Sequence, residues 1–285
     1  MKGLNSVNEH GTLIILFLAL ILLSCRHKAN HVISQPKNDS IVDKDEMQQE
    51  IINVEETVKY KNICFANCLF EAQEVILKRK GYISSYNSET LIPNWVGWIL
   101  TDSHTDGNCP RDNNYYEDND VSSPRATNED YLGSGWSRGH MCPAGDNKWD
   151  KKAMLESNLL TNICPQDRSL NSGLWNKIEQ DCRKWAKKYG EVYIVCGPIL
   201  LNQEHQKIGK NKVVVPEAFF KVVLCLNPNP KAIGFVVRNN DGVKKRDQYI
   251  NTVDEVERIT GIDFYPALPD SIENGVESYS NIDDW

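Results

Sequence analysis

Arg138 and His140 stand two residues apart, and about thirty residues further on Asn162, Asn171 and Glu179 follow in close succession. The first group sits in S-G-W-S-R-G-H-M-C-P-A-G-D, the second in T-N-I-C-P-Q-D-R-S-L-N-S-G-L-W-N-K-I-E. Histidine is the side chain whose free pKa lets it take a proton from water near neutrality. An amide ligand lets a divalent cation keep most of its waters, where a cage of carboxylates would strip them. These residue types in this order suit metal-assisted attack of water on a phosphodiester. Each also has a structural use: a satisfied core histidine, an Asn171 helix cap, a turn-forming Asn162, an exposed Glu179 on a helix, or a buried ion pair at Arg138.

The elements that must hold these residues follow from pattern. Trp175, Ile178, Cys182, Trp185 and Tyr189 recur at spacings of three and four, which predicts an amphipathic helix ending at Gly190. Residues 149–160 are compatible with a second helix, and 69–80 with a short one. Thr252 to Gly261 carries a threonine cap, a glutamate three residues later and a glycine stop. Residues 82–86, 95–100, 192–196, 213–215, 219–226 and 232–237 read as strands, making six or seven in all. From Thr101 to Asp130 the chain is rich in Asp, Asn, Gly, Ser and Pro and reads as a long irregular connection, the kind that is often functional.

Several motifs here, in this order, resemble those of the DNA/RNA non-specific endonucleases, the ββα-metal-finger group that includes endonuclease G. That family carries D-R-G-H, then T-N-x-x-P-Q, then L-N-x-G-x-W and a glutamate. Here they read Ser137 to His140, Thr161 to Gln166, and Leu170 to Trp175 with Glu179. Trp95 to Trp98 and the Thr252–Gly261 element with Ala267-Leu268-Pro269 also match, so the likeness spans roughly residues 80–270. It implies an α+β fold, a mainly antiparallel central sheet flanked by helices, with the finger at the active face. It implies a metal-dependent hydrolase that cuts DNA and RNA with little sequence preference and leaves 5′-phosphate ends. His140 is then the general base and Asn171 the ligand of a hydrated Mg2+, for which Mn2+ could substitute. Glu179 accepts hydrogen bonds from the ion's waters, and Asn162 orients those waters or His140. Arg138 neutralises a phosphate oxygen. Arg111, in R-D-N-N-Y-Y-E-D, resembles the family's phosphate-contacting arginine, and Arg125 is the rival for that role.

Charge is partitioned unevenly. The formal net is −7, yet residues 26–58 carry four Lys/Arg against seven Asp/Glu, and residues 270–285 carry five acids and no base. Between Arg138 and Tyr189 stand ten Lys/Arg and six Asp/Glu, a local basic zone that suits backbone phosphate contacts.

The first residues set an expectation about location. Leu13 to Leu23 is an apolar run too short to span a bilayer comfortably, and it closes on Leu22-Leu23-Ser24-Cys25. That ending resembles the lipobox of bacterial lipoproteins, implying cleavage before Cys25 and lipidation there. The expected organisation is a signal peptide (1–24), a flexible acidic linker (25–58), the endonuclease domain (59–270) and a loose acidic tail (271–285). The chain would be an exported lipoprotein of the bacterial cell envelope, tied to the membrane through Cys25. The eight remaining cysteines form an even set that suggests disulfides in such a compartment.

Ser137 departs from the family's aspartate and brings no charge beside the histidine. That opens a second reading, a catalytically weakened nuclease-fold lipoprotein acting as a nucleic-acid-binding or structural envelope protein. A disulfide-stapled adhesin is a third, resting on the cysteines alone. On sequence grounds Ser137→Asp is expected to raise the rate of plasmid nicking, and an unchanged or lower rate would count against a charge deficit at this position.

Overall fold

In the computed structural model residues 65–69, 73–240 and 245–285 are described. The signal segment, Cys25, the acidic linker and Cys64 lie outside the described residues. The strands, in chain order, begin with β1 (Ala66–Cys68), β2 (Val75–Lys78), β3 (Ile83–Asn87), β4 (Ile92–Thr101), β5 (Ser137–His140) and β6 (Ile163–Gln166). They continue with β7 (Glu191–Ile199), β8 (Lys207–Ile208), β9 (Val213–Val214), β10 (Ala218–Cys225), β11 (Lys231–Arg238), β12 (Ile250–Asn251) and β13 (Ile262–Phe264). Four longer helices are α1 (Lys151–Ser157), α2 (Asn176–Tyr189), α3 (Val253–Thr260) and α4 (Asp270–Glu277).

Seven strands make the central sheet in the order β12-β11-β10-β7-β4-β3-β2, and all neighbours in it are antiparallel. β7 and β10 are buried on both faces, which is why they are written as nearly continuous apolar runs. Their alternate residues serve different layers. Ile194 and Cys196 join Ile178, Cys182 and Ala186 of α2 in one core, while Tyr193 and Val195 join Val253 and Val256 of α3 in the other. The fold is therefore α+β, a mainly antiparallel sheet with helices on both faces.

Helix ends follow local chemistry. Thr252 Oγ1 accepts from Glu255 N at 3.2 Å, and Gly261 closes α3 in the left-handed region at φ +66°. Gly190 ends α2 at φ +88°, a conformation that side chains rarely adopt.

Three expectations are corrected. Part of the stretch predicted as a helix at 69–80 is strand β2, paired in register with β3 from Val75↔Tyr86 to Lys78↔Ile83. The apolar run Val75-Ile76-Leu77 gains sheet hydrogen bonds and the burial of Leu77, and this outweighs the local helix preference of the preceding residues. The C-terminal segment is not loose. Val276 of α4 is buried and Ile272 packs beside it, so an apolar stripe pins an acidic helix to the sheet. Beyond it the Trp285 ring lies 4.5 Å from that of Trp185. The third correction concerns cysteines, since all seven described ones are free. Five of them are buried, behaving as small hydrophobes, and burial pushes the Cys182 thiol to about 12 and that of Cys196 to about 11. An even count says nothing about whether two Cβ atoms face one another at bonding distance, which a disulfide requires.

Ile178 is fully buried one residue before Glu179 and anchors α2 to the sheet. Ile178→Ala is expected to cost about 2–5 kcal/mol in urea denaturation through cavity formation. A loss below about 1 kcal/mol would mean that α2 is held some other way.

Candidate active site

Two short strands and one helix bring the candidates together. β5 and β6 form an antiparallel ribbon, with Ser137 opposite Gln166 and His140 opposite Ile163. After β6 the Asp167 side chain accepts from Ser169 N and Leu170 N, each at 2.9 Å, and so starts a helical run. One turn later Asn171–Trp175 winds as a π-helical turn before α2 begins. π-Turns inside helices often mark functional positions, and this one carries Asn171. Asn171 is consequently not the N-cap of this run, because Asp167 fills that role.

His140, Arg111, Asn171 and Glu179 line one cleft of about 330 Å3. Ser172, Asn176, Arg183 and residues Pro143, Ala144 and Gly145 complete its wall. His140 is 8% exposed, and its Nε2 lies 2.8 Å from Asn158 Oδ1. Asn158 Nδ2 is committed to Asp112 O at 2.9 Å, so the atom facing the imidazole is the acceptor oxygen. Nε2 therefore carries the proton, and Nδ1 keeps its lone pair. Burial holds the imidazole pKa down at about 4; the Asn158 hydrogen bond opposes that shift and the Arg111 charge adds to it. The ring is neutral through the whole physiological range.

Glu179 is half-buried and makes no hydrogen bond or ion pair to another described residue. Burial raises its carboxyl to about 7, offset first by Lys221 and further by Arg183 and Arg111, with Asp146 acting the other way. Lys221 sits wholly inside the protein, its Nζ 4.8 Å from the Trp175 ring and 5.0 Å from that of Trp98. Arg183 NH1 pairs with the buried Asp146 Oδ1 at 2.5 Å. Arg111 is exposed and makes no hydrogen bond or ion pair to a described residue, leaving its guanidinium available to an anion.

The remaining candidates lie off the cleft wall. Arg125 is engaged with Glu117, Asn119 and the Val121 carbonyl, whereas Arg111 lines the cleft. The Arg138 guanidinium is stacked between Tyr115 at 5.3 Å and Tyr131 at 5.2 Å, and it donates to Asn128 O. Its contact with the site is indirect, since Tyr115 packs on the His140 ring at a centroid distance of 5.4 Å. Asn162 is fully buried, accepts from Cys142 N and donates to Cys142 O and Ser157 O. It anchors the chain two residues beyond His140, with both amide protons spent on backbone carbonyls and the side chain buried off the cleft wall.

Arg183, Asn176 and Ser172 are cleft residues that motif matching left out. The signal for two of them was helical spacing, because Asn176 and Arg183 stand three before and four after Glu179 on the same face.

The donor set fits a hard, hydrated cation. The Asn171 amide is tethered by its nitrogen, Nδ2 to Ser137 Oγ at 3.2 Å, and its Oδ1 accepts from no described residue. Beside it stands the unpaired Glu179 carboxyl. Among the described residues the one cluster of three acidic or imidazole ligands is Asp254, Glu257 and Glu277, which is no part of this cleft. One amide and one carboxylate leave most coordination positions to water, as Mg2+ prefers.

Comparison with known proteins agrees with this geometry. The family profile for DNA/RNA non-specific endonuclease matches residues 59–271. Nuclease EXOG, mitochondrial, of Homo sapiens is 36% identical over 202 residues, 65% of this chain and 55% of that protein. Endonuclease G, mitochondrial, of Bos taurus is 32% identical over 205 residues, 67% of this chain and 69% of the relative. A Nostoc nuclease is 32% identical across 71% of this chain and 77% of its own length. The match to the human EXOG protein thus spans just over half the length of that relative. Among solved structures, one of an EndoG/EndoGI complex superposes with a TM-score of 0.65 at 26% identity, covering 71% of this chain and 90% of that one. A sheet, a ββα unit and a shared cleft of this kind, matched over most of its length, mean that the chain belongs to the DNA/RNA non-specific endonuclease family.

Proposed function

We propose that the protein is a divalent-metal-dependent endonuclease that hydrolyses phosphodiester bonds in DNA and RNA with little sequence preference. The observation that carries this is that His140, whose Nε2 is bound to Asn158 and whose Nδ1 is left unprotonated, lines one cleft with Asn171 and Arg111. Nδ1 takes the proton from a water positioned for in-line attack on phosphorus, leaving an imidazolium that Asn158 steadies through Nε2. Arg111 and Arg183 offset the negative charge that grows on the phosphoryl oxygens. Asn171 and Glu179 would hold a hydrated ion, Mg2+ with Mn2+ as substitute, which supplies Lewis-acid stabilisation of the departing 3′ oxygen when bound. Glu179 accepts hydrogen bonds at this position once ionised. Product ends are then 5′-phosphates.

Substrate contacts are chiefly to backbone phosphate, which accounts for weak sequence preference and for binding that weakens as salt rises. The apolar run ending at Leu22-Leu23-Ser24-Cys25 supports export and lipid anchoring at Cys25 in a bacterial envelope. Among the described residues no helix is long and apolar enough to cross a membrane. The alternative of a weakened, binding-only protein rests on Ser137 alone, and His140, Asn171 and Glu179 in one cleft weigh against it.

Plasmid nicking in Mg2+ tests the assignment. His140→Ala is expected to lower the rate by about 10²–10⁴, and Asn171→Ala to abolish the response to Mg2+. Arg111→Ala should cost about 10²–10³ in kcat and make the salt dependence of binding shallower by about one unit of log slope. Equal nicking by all four proteins would sink the proposal.

The imidazole makes a separate prediction. In NMR titration of the metal-free protein the His140 Cε1 proton should shift with a midpoint at about 4, well below the roughly 6.5 of a free histidine. Because the folded pKa is the lower one, this group's contribution to stability is full above about 6.5 and is lost as pH falls toward 4. A midpoint near 6.5 would show a solvated ring and remove the basis for a pre-set tautomer.

A further inference from the structure

We infer that Ser137 is a positioning residue that decides which end of the Asn171 amide is left for the metal, a role that rests on the reading of Asn171 as the metal ligand. The two ends of an asparagine amide are nearly the same size and opposite in chemistry. The oxygen end coordinates a cation, while the NH2 end repels it and offers no lone pair. A side chain free to flip would therefore spend part of its time in a form that cannot bind.

The hydroxyl of Ser137 removes that freedom by having its single proton committed elsewhere. Ser137 and Gln166 are register partners across the β5–β6 ribbon, and Oγ donates to Gln166 O at 2.6 Å. With the hydrogen spent, Oγ can act toward Asn171 only as an acceptor, so the group facing it at 3.2 Å is Nδ2. A one-way chain results, from amide N–H to hydroxyl oxygen and from hydroxyl O–H to backbone carbonyl. Its far end is Asn171 Oδ1, which accepts from no described residue on a side chain lining the cleft.

The ribbon thereby sets the metal ligand as well as the base, since His140 is the last residue of the same strand. An aspartate here could accept from Asn171 but could not, when ionised, donate to a carbonyl 2.6 Å away. Serine is thus a different solution to holding the amide, with polarity set by the backbone instead of by charge. Because an aspartate also changes the charge of the cleft, Ser137→Asp does not isolate this role. Alanine and threonine do.

The probe is Mn2+ alone, titrated into the full chain without nucleic acid and followed by loss of the free-ion EPR signal. Ser137→Ala is expected to weaken binding by about 10- to 100-fold, the usual effect of removing a partner that orients a ligand. Ser137→Thr, which keeps the hydroxyl, should bind within about threefold of wild type, and thermal unfolding should be little changed in either. At saturating Mn2+ the alanine variant should recover most of its nicking rate, because only the population of the competent amide orientation is lost. Wild-type affinity in Ser137→Ala, alongside weakened binding in Asn171→Ala, overturns the inference and leaves the ligand assignment standing. Wild-type affinity in Asn171→Ala overturns the ligand assignment and the inference with it. Should the alanine variant fail to fold, Ser137→Cys, similar in volume but a poor donor and acceptor, serves in its place with the same expected loss.

Discussion

A single hydrogen bond, from His140 Nε2 to Asn158 Oδ1 at 2.8 Å, determines what this site can do. It fixes the tautomer, and the tautomer decides which ring nitrogen keeps a lone pair. That bond depends in turn on Asn158 being held the right way round by Asp112 O, from the long irregular connection between β4 and β5. The loop also delivers Arg111 to the cleft and Tyr115 to the imidazole face. A stretch with almost no regular structure is thus ordered by polar contacts to the elements it serves, as functional loops on rigid scaffolds commonly are.

Beneath the cleft the protein spends apolar core volume on charge. Lys221 has no hydrogen-bond partner among the described residues and lies between two indole faces, and Asp146 reaches both Arg183 and the Trp98 N–H. Such groups are costly to bury and stabilise little by themselves. Their effect is electrostatic: Lys221 and Arg183, with Arg111 from the loop, oppose burial and the buried Asp146 in setting how readily Glu179 ionises. Arg138 illustrates the opposite case, a charge in a signature motif whose contacts are with aromatic rings and a carbonyl, away from the cleft wall.

Much of the fold was legible because it depends on periodicity. The α2 stripe, the β7 and β10 runs and the capped α3 element are local patterns with local causes, and they stand where spacing put them. The failures share a different cause. Val75–Lys78 becomes strand because β3 offers it an edge, and Asp270–Glu277 becomes helix because the sheet offers it an apolar face. Neither partner is visible from within the segment. The cysteines failed for a related reason, since pairing is a matter of distance and their number carries none.

In the site, residue types, their order and the family resemblance they carry singled out His140, Asn171, Glu179 and a choice between two loop arginines as candidates, and His140, Asn171, Glu179 and Arg111 line one cleft. Those identities are chemical, and chemistry is written in the order of side chains. Only the tertiary structure put Arg111 and Arg183 on the cleft wall and placed Arg125, Arg138 and Asn162 off it. Only it revealed that Ser137 touches the Asn171 amide. The physical reason is that a hydrogen bond has direction and range: donors and acceptors acquire roles when the fold sets them within about 3 Å of one another, and no linear spacing records which of two ends points inward.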